Sequence, residues 1–229
     1  MVDHFRRSLY HHGKLRWQAE GVMRPSVLLY RLIAFFVFAS PALAASQQDH
    51  RDCKGNDPDR SIAGCTHIIE DQNESTASRA AAANNRGVEY RRKGDFDRAV
   101  ADYNEAIRLE PTYALAYYNR GFAYRAMGDY DRAIADYNEA IRLEPKDADA
   151  YNGRAWAYFK MGKASAGLPD ADRALQLNPN NAASYNTRGH IYEALGRNTD
   201  AIADYRKALS INSSIQESKD GLKRLGAAP

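Results

Sequence analysis

The chain has 229 residues, and its 32 Lys and Arg residues against 29 Asp and Glu residues give a formal net charge of +3. Residues 1–44 hold six of the basic and two of the acidic residues, so the remainder carries 26 basic and 27 acidic residues. This balance excludes a global basic surface for nucleic acid, and residues 45–229 are ample for one cooperative domain.

An apolar segment near the start of the chain has the layout of a secretory signal peptide. A basic flank precedes the apolar run at residues 32–39, and a small-x-small motif follows at residues 42–44. We therefore predict cleavage after Ala44. The alternative, a membrane anchor, is disfavoured because a spanning helix needs ~20 apolar residues. No Cys follows at once, which disfavours a bacterial lipid anchor.

Residues 1–22 do not fit this signal peptide because they form a long polar stretch with His11, His12 and Trp17. Met23 alone would give a leader of ordinary length, and we predict that translation starts there. The mature protein is then periplasmic or secreted and keeps no stable membrane anchor.

The two cysteines of the chain, Cys53 and Cys65, both follow the predicted cleavage site. An even pair in an exported protein indicates a disulfide, and closing so short a loop stabilises by ~2–3 kcal/mol. A zinc site would need paired histidines nearby, and a redox site would need the CxxC spacing.

Residues 57–70, DPDRSIAGCTHIIE, align with DYDRAIADYNEAIR at residues 129–142. The alignment predicts a helix with Asp57 as N-cap and Pro58 as first residue. We interpret residues 45–79 as a degenerate unit in which the disulfide replaces a missing first helix. Residues 71–79 are polar without periodicity and connect it to the next segment.

The central part of the chain repeats itself with a period of 34 residues. Residues 94–111 read GDFDRAVADYNEAIRLEP and residues 128–145 read GDYDRAIADYNEAIRLEP. Such a period is typical of stacked helical repeats. The prolines that mark it are Pro111, Pro145 and Pro179.

Each unit contains two helical stripes separated by a turn. Tyr117 and Gly121 share one face of a first helix, and Ala133 and Tyr137 share one face of a second. Small residues let helix backbones approach closely, and the tyrosines fill the space between units. Glycines end the first helices at Gly94, Gly128, Gly162 and Gly196. Asp95 and Asp129 are candidate N-caps of the second helices.

These residues resemble the tetratricopeptide repeat family, whose pattern is a 34-residue helix-turn-helix with small residues at positions 8, 20 and 27 and Pro at 32. The resemblance implies an all-α fold, a right-handed superhelical α-solenoid. The repeats are expected at residues 80–113, 114–147, 148–181 and 182–215. Residues 216–229 are expected to form a solvating cap helix and tail.

Two departures from the pattern carry their own expectations. Gly167 and Pro169 fall where the second helix of the third unit should be regular, which predicts a late start or a kink. Ser213 replaces the expected proline of the fourth unit, so its second helix could run on.

No catalytic constellation stands out. His50, His67 and His190 lie far apart, and the chain has no nucleophile elbow, phosphate loop or metal-ligand pair in its sequence. The acidic residues recur with the repeat and are interpreted as solvated faces and helix pairs. We expect no enzyme activity, no metal and no cofactor.

An arginine recurs at position 7 of every unit. It could form an anion-binding ladder, or it could pack its stem between helices and bond neighbouring carbonyls or acids. Recurrence in every unit favours the second reading. The four residues are Arg86, Arg120, Arg154 and Arg188.

The resemblance also implies an inner groove lined by first-helix positions that differ between units. An aromatic centre, Asn amides and a basic N-terminal end suit an extended peptide or a partner helix. The alternative is that part of this stripe is core between repeats. The predicted groove residues are Asn84, Val88, Arg91, Arg92, Tyr118, Asn119, Phe122, Arg125, Asn152, Trp156, Phe159, Lys160, Asn186 and His190.

The groove departs from the carboxylate clamp of the chaperone-tail subclass, because Gly153 and Thr187 stand where Asn119 stands in the second unit. We therefore expect an exported bacterial adaptor that binds a protein or peptide partner. The alternatives are a structural module that self-associates and an envelope protein that binds glycan.

Overall fold

Eleven helices follow one another in the part of the chain that the computed structural model describes, residues 44–228, and no strand occurs among them. They are α1 Gln47–Cys53, α2 Pro58–Glu70, α3 Thr76–Arg92, α4 Phe96–Leu109, α5 Ala114–Ala126, α6 Tyr130–Leu143, α7 Ala148–Lys160, α8 Ala164–Leu177, α9 Ala182–Ala194, α10 Asn198–Ile211 and α11 Gln216–Arg224. The result is an all-α solenoid of helical repeats. The signal peptide and the start at Met23 predicted from the sequence lie outside the described residues.

The helix ends follow the capping residues of the sequence. Asp95 Oδ1 accepts a hydrogen bond from the Arg98 amide at 3.0 Å, and Asp129 Oδ1 accepts one from the Arg132 amide at 3.1 Å. Both predicted N-caps are thereby confirmed. Gly128 has φ 83°, the left-handed conformation that lets α5 end and the chain turn into α6.

The second helices of the four regular units, α4, α6, α8 and α10, each contain 14 residues at equivalent positions. The late start predicted from Pro169 is therefore wrong, since α8 begins at Ala164. Gly167 comes so close to α7 that an added Cβ would lie 2.8 Å from the Ala155 carbonyl oxygen. This packing holds the helix in place.

The extension predicted from Ser213 is also wrong, because α10 ends at Ile211.

Buried tyrosines of the second helices pack beneath glycines of neighbouring first helices, Tyr103 under Gly87 of its own unit and Tyr137 under Gly153 of the next unit. The side chains of Tyr103, Tyr137 and Tyr205 are fully buried. A Cβ added at Gly153 would lie 2.6 Å from Tyr137 Cζ, so this approach requires glycine. The third unit has Ala171 in the tyrosine position, and the fully buried Ile191 packs in the same cluster.

The N-terminal unit contains the disulfide, which joins Cys53 of α1 to Cys65 of α2 with their Cα atoms 4.6 Å apart. The expectation of a missing first helix is wrong, because the seven-residue helix α1 occupies that place. Its start is stabilised by a capping box in which the Ser46 and Asp49 side chains each bond the other's backbone amide. Residues 71–75 connect α2 to α3.

The recurrent arginines bond acids rather than forming an open ladder. Arg120 donates from Nε to Asp136 Oδ2 at 2.8 Å and from Nη2 to Asp136 Oδ1 at 2.6 Å. Its Nη1 reaches back to Asn104 Oδ1 of the preceding unit. The same two-point contact recurs in Arg86–Asp102, Arg154–Asp170 and Arg188–Asp204. Each guanidinium therefore joins two helices of its own unit to the unit before it.

We expect Arg120→Ala to lower the free energy of unfolding by about 2–4 kcal/mol. The substitution leaves the buried Asp136 carboxylate without its cation and Asn104 without its donor. Urea unfolding followed by circular dichroism measures the change.

Arg142→Ala is the matched control in the same unit. Arg142 pairs with Glu139 on the surface, where its side chain is 63% exposed. A surface pair contributes little, so this variant should stay within about 0.5 kcal/mol of the natural protein. Equal losses in the two variants would contradict the assigned role of Arg120.

Candidate functional site

A cavity of about 590 Å³ lies among α5, α6, α7, α9 and the start of α11. Volumes of this size are typical of ligand pockets. Six of the predicted groove residues line it together: Tyr118, Phe122, Arg125, Asn152, Trp156 and Asn186. Their side chains are half-buried, so the aromatic centre is neither fully core nor fully exposed.

Other predicted groove residues lie elsewhere. Val88 and Arg92 line a separate cavity of about 330 Å³ beside Cys53. Phe159 and His190 line a third cavity, of about 320 Å³. Arg91 and Lys160 contact the main cavity only through its aromatic rings, at Phe122 and Trp156 respectively.

The groove assignment of Asn84 and Asn119 needs correction, because both side chains are buried. Asn119 Nδ2 donates to Asn84 Oδ1 at 2.9 Å, which joins α3 to α5. Asn84 is 2% exposed and Asn119 is 6% exposed. Their burial and this bond between α3 and α5 make them part of the scaffold rather than groove surface.

Two arginines hold the Phe122 ring. The Arg91 guanidinium lies 4.6 Å from the ring centroid, and the Arg125 guanidinium lies 4.5 Å from it. Cation–π contacts of this kind fix the ring and both cations. The apolar anchor surface at Phe122 is therefore combined with positive charge.

The cavity wall formed by Tyr137 and Asn152 holds buried polar atoms without partners. The Tyr137 hydroxyl and Asn152 Oδ1 accept or donate no hydrogen bond within residues 44–228. Burial raises the pKa of the Tyr137 hydroxyl above its ordinary value of 10.0, so the group stays neutral into the alkaline range. Unsatisfied buried groups cost free energy, so these two atoms lower the stability of the cavity wall.

Acidic residues oppose the arginine side of the cavity. Asp149 and Glu217 lie in the first turns of α7 and α11, whereas Arg125 lies in the last turn of α5. All three line the cavity. A ligand therefore meets positive charge beside Phe122 and negative charge at these two helix starts.

A hydrogen-bond network at the C-terminal end docks α11 on α9. Arg224 donates twice to the Glu193 carboxylate, at 2.8 Å each. The Tyr205 hydroxyl donates to Glu193 Oε2 at 2.6 Å and lies 3.0 Å from His190 Nδ1. Burial lowers the pKa of His190, so its ring is neutral at pH 7. The predicted groove residue His190 thus serves this network.

Three residues that line the cavity were not predicted from the sequence: Tyr137, Asp149 and Glu217. Tyr137 recurs with the repeat, which assigned it to the scaffold. The sequence holds one indication of the role of Tyr137, because Gly153 stands where the preceding unit has Asn119. Gly153 has no side chain to separate Tyr137 from the cavity.

Two further observations concern the described part of the chain. Between residues 44 and 228, no three His, Cys, Asp or Glu side chains cluster in a way that could hold a metal ion. None of the helices in that range has the length and apolar character needed to cross a membrane.

Comparison with protein families finds matches through the repeat region. A model described as "TPR repeat" matches residues 87–128 and 123–162. A model described as "Tetratricopeptide repeat" matches residues 148–181 and 182–214. Together these matches span more than half of the chain. A comparison with curated protein sequences found no match.

Several solved structures are similar. The crystal structure of MamA has 25% identity and a TM-score of 0.61, covering 73% of this chain and 95% of MamA. The first TPR of Spaghetti (RPAP3), bound to the HSP90 peptide SRMEEVD, has 28% identity and a TM-score of 0.51. The alignment covers 52% of this chain and 95% of that one. YrrB, at 19% identity and a TM-score of 0.58 over 72% of this chain and 84% of its own, shares the fold.

Two buried tyrosines differ in whether their hydroxyl forms a hydrogen bond: Tyr137 forms none within residues 44–228, and Tyr205 bonds Glu193. Their Phe variants should therefore differ in stability. We expect Tyr137→Phe to leave the free energy of unfolding at pH 7 unchanged or to raise it by about 1 kcal/mol, because no hydrogen bond is lost and the buried hydroxyl has no partner. Tyr205→Phe removes the bond to Glu193 and should cost about 1–2 kcal/mol. Urea unfolding of both variants measures the difference, and equal losses would contradict it.

The same hydroxyl predicts a dependence on alkaline pH. The folded pKa of Tyr137 is raised above its ordinary value of 10.0, so its contribution to stability is complete below that pH. The contribution is lost as the pH rises above it, because the unfolded chain ionises first. The Tyr137→Phe protein should therefore lose less stability than the natural protein above pH ~10.

Proposed function

Because the chain belongs to the tetratricopeptide repeat family, whose models match residues 87–214 in overlapping segments, we propose that it is a non-enzymatic protein-interaction scaffold. It binds an extended peptide or a partner helix in the cavity beside Phe122 and Trp156. The observation that carries this proposal is the combination of half-buried aromatic rings with unpaired polar atoms in one cavity. The related repeat domain bound to an HSP90 peptide supports peptide as the ligand class.

The cavity has the groups that peptide recognition needs. Phe122 and Trp156 offer apolar surface for an anchor side chain, and partly buried aromatic residues are typical binding hot spots. The Asn152 and Asn186 amides can bond a peptide backbone. Asn152 Oδ1 is buried without a partner within residues 44–228, whereas Asn186 Oδ1 accepts from Ser218 Oγ at 2.7 Å, which leaves the Asn186 Nδ2 group for a ligand.

The charges at the cavity favour a particular partner. Arg91 and Arg125 flank Phe122, and the Lys160 ammonium lies 6.0 Å from the Trp156 ring centroid. An acidic side chain or a terminal carboxylate next to an apolar anchor residue matches this arrangement. The preferred ligand is therefore a peptide segment with an acidic group next to one large apolar residue, and with no acidic group facing Asp149 and Glu217.

We further propose that the protein acts in an exported fraction, such as the bacterial periplasm, after cleavage behind Ala44. The leader pattern of residues 24–44 supports this location. The disulfide between Cys53 and Cys65 is consistent with it, because disulfides persist in oxidising compartments.

Peptide selection tests the binding proposal. A random peptide library is selected on the purified protein, and the affinity of the enriched peptides is measured by calorimetry. Enriched peptides should combine a large apolar residue with Asp or Glu. The double variant Phe122→Ala, Trp156→Ala should weaken binding at least ~30-fold, as expected for loss of hot-spot residues worth ~2 kcal/mol.

Tyr130→Ala is the matched control, since this aromatic residue begins α6 and lines none of the three cavities above. It should bind the same peptides with unchanged affinity. Unchanged affinity of the folded double variant would overturn the assignment of the cavity.

Mass spectrometry of the cellular protein tests the export proposal. The expected N-terminal residue is Ala45, Cys53 and Cys65 should be oxidised, and peptides from residues 3–20 should be absent. An intact leader or two free thiols in the cellular protein would contradict export.

A further inference from the structure

Ala44 and Ala45, the residues on either side of the proposed cleavage site, differ in burial. Ala44 is exposed, whereas Ala45 is half-buried. Ala45 packs against the buried cluster that contains the disulfide, Cys53 with Cys65, and Ile68. The first residues of a domain are usually loosely held unless something ties them down. Here tertiary contacts hold the residue directly after the proposed cleavage site.

One of these contacts is polar and reaches a buried acid. The Ala45 backbone nitrogen donates to Asp71 Oδ2 at 2.8 Å. Asp71 is 4% exposed, which is unusual for an acidic residue without a cationic partner. Its other oxygen accepts from the backbone and side-chain nitrogens of Asn73, at 2.9 and 3.0 Å. All of these donors are neutral amides while the chain continues into Ala44.

No Lys or Arg side chain within residues 44–228 forms an ion pair with Asp71. Arg79 is the neighbouring cation, but its Nε donates to the Ile69 carbonyl at 2.9 Å and its Nη1 to Gln72 at 3.4 Å. A buried carboxylate without a counter-ion is unfavourable. The hydrogen bonds from Asn73 and Ala45 nevertheless hold the pKa of Asp71 below its usual value, so the group is charged at neutral pH.

The position of Asp71 increases the need for a cation. Asp71 is the C-cap residue of α2, and its amide bonds the His67 carbonyl. The C-terminal end of a helix carries partial negative charge, which favours cations and disfavours carboxylates. The carboxylate of Asp71 thus adds negative charge where the helix already has it.

We infer that Asp71 is a binding site for the α-ammonium group that forms on Ala45 when the chain is cleaved after Ala44. The inference rests on the proposed export. A signal peptidase, supplied by the cell, would hydrolyse the Ala44–Ala45 bond with one water molecule. The acyl carbon of Ala44 takes the hydroxyl and leaves as a carboxylate. The Ala45 nitrogen leaves as an amine that is protonated at neutral pH.

Cleavage thereby converts an amide–carboxylate hydrogen bond into a charge-assisted one at the same place. The new ion pair joins the first residue of the mature chain to the segment between α2 and α3. The same region is held by His50 Nε2 at 2.7 Å from Glu74 Oε1 and by His67 Nδ1 at 2.6 Å from Asp49 Oδ1. The N-terminal unit reaches its full stability only after the leader is removed.

A double-mutant cycle tests the ion pair on purified protein. One preparation begins with a free amine at Ala45, and the other carries an acetyl group there, which restores the neutral amide. Each is made with Asp71 and with Asp71→Asn, and the Tm of all four is measured. We expect Asp71→Asn to lower the Tm of the free-amine form by about 3 °C or more beyond its effect on the acetylated form.

Asp57→Asn is the matched control, because it removes the same charge at the other end of α2 and asparagine can still cap the helix. Its effect should be equal in the two forms. An equal effect of Asp71→Asn in the two forms would overturn the inference. If Asp71→Asn fails to fold, acetylation of the natural sequence decides: a lower Tm supports the ion pair and an unchanged Tm refutes it.

This cycle separates the inference from the proposal on which it rests. Both preparations have a defined N-terminus, so their Tm values do not depend on processing in cells. Failure of export appears as a different N-terminus of the cellular protein, whereas failure of the Asp71 site appears as the absence of coupling in the cycle.

Discussion

The close approach of a glycine to a buried tyrosine is the contact on which the array depends. Tyr137 lies beneath Gly153 and Tyr205 lies beneath both Gly189 and Gly221, each at distances that leave no room for a Cβ. At these points the facing helix comes this close only because it has no side chain there. The Arg–Asp contacts join the two helices of each unit, and Arg154 Nη1 also bonds Asn138 on α6, so charge pairing supports the same stacking as the apolar packing.

This constraint also explains where the proposed binding site lies. At Gly153 the first helix has no side chain to cover Tyr137, and the cavity forms there. In the third unit Ala171 replaces the tyrosine, and Ile191 fills the space instead. On the neighbouring surface, Trp156 lies 5.3 Å from Phe159 and 5.4 Å from His190, measured between ring centroids. The irregular third unit thus supplies Trp156 to the cavity, and the second unit supplies Phe122.

Sequence patterns predicted features that depend on local chemistry. The caps at Asp95 and Asp129, the positive φ of Gly128 and the pairing of Cys53 with Cys65 all follow from residue type and spacing, and the structure contains them. Features that depend on neighbouring units were harder to predict. Asn84 and Asn152 occupy equivalent positions, yet Asn84 pairs with Asn119 of the next unit, whereas Thr187 stands at that place for Asn152, which lines the cavity. The start of α8 depends likewise on packing around Gly167, which overrides the local effect of Pro169.

A residue that recurs at the same position of each unit is expected to belong to the scaffold, and a residue that does not recur is a candidate for the site. This rule holds better for charged residues than for aromatic ones. The recurrent Arg120 pairs with Asp136. Arg125 occurs at a position that varies between units, and its guanidinium contacts an aromatic ring. Asp71, which belongs to the degenerate unit, likewise has no cation of the array paired with it. A buried charge that recurs in every unit must be neutralised in every unit, because the free-energy costs of the unpaired charges would add up along the array. A charge that occurs once escapes that requirement and is available for a ligand or for a new chain terminus. Tyr137 shows why the rule fails for aromatic side chains: the same buried ring serves packing in three of the four regular units, and at Tyr137 the glycine above it lets the ring line a cavity as well.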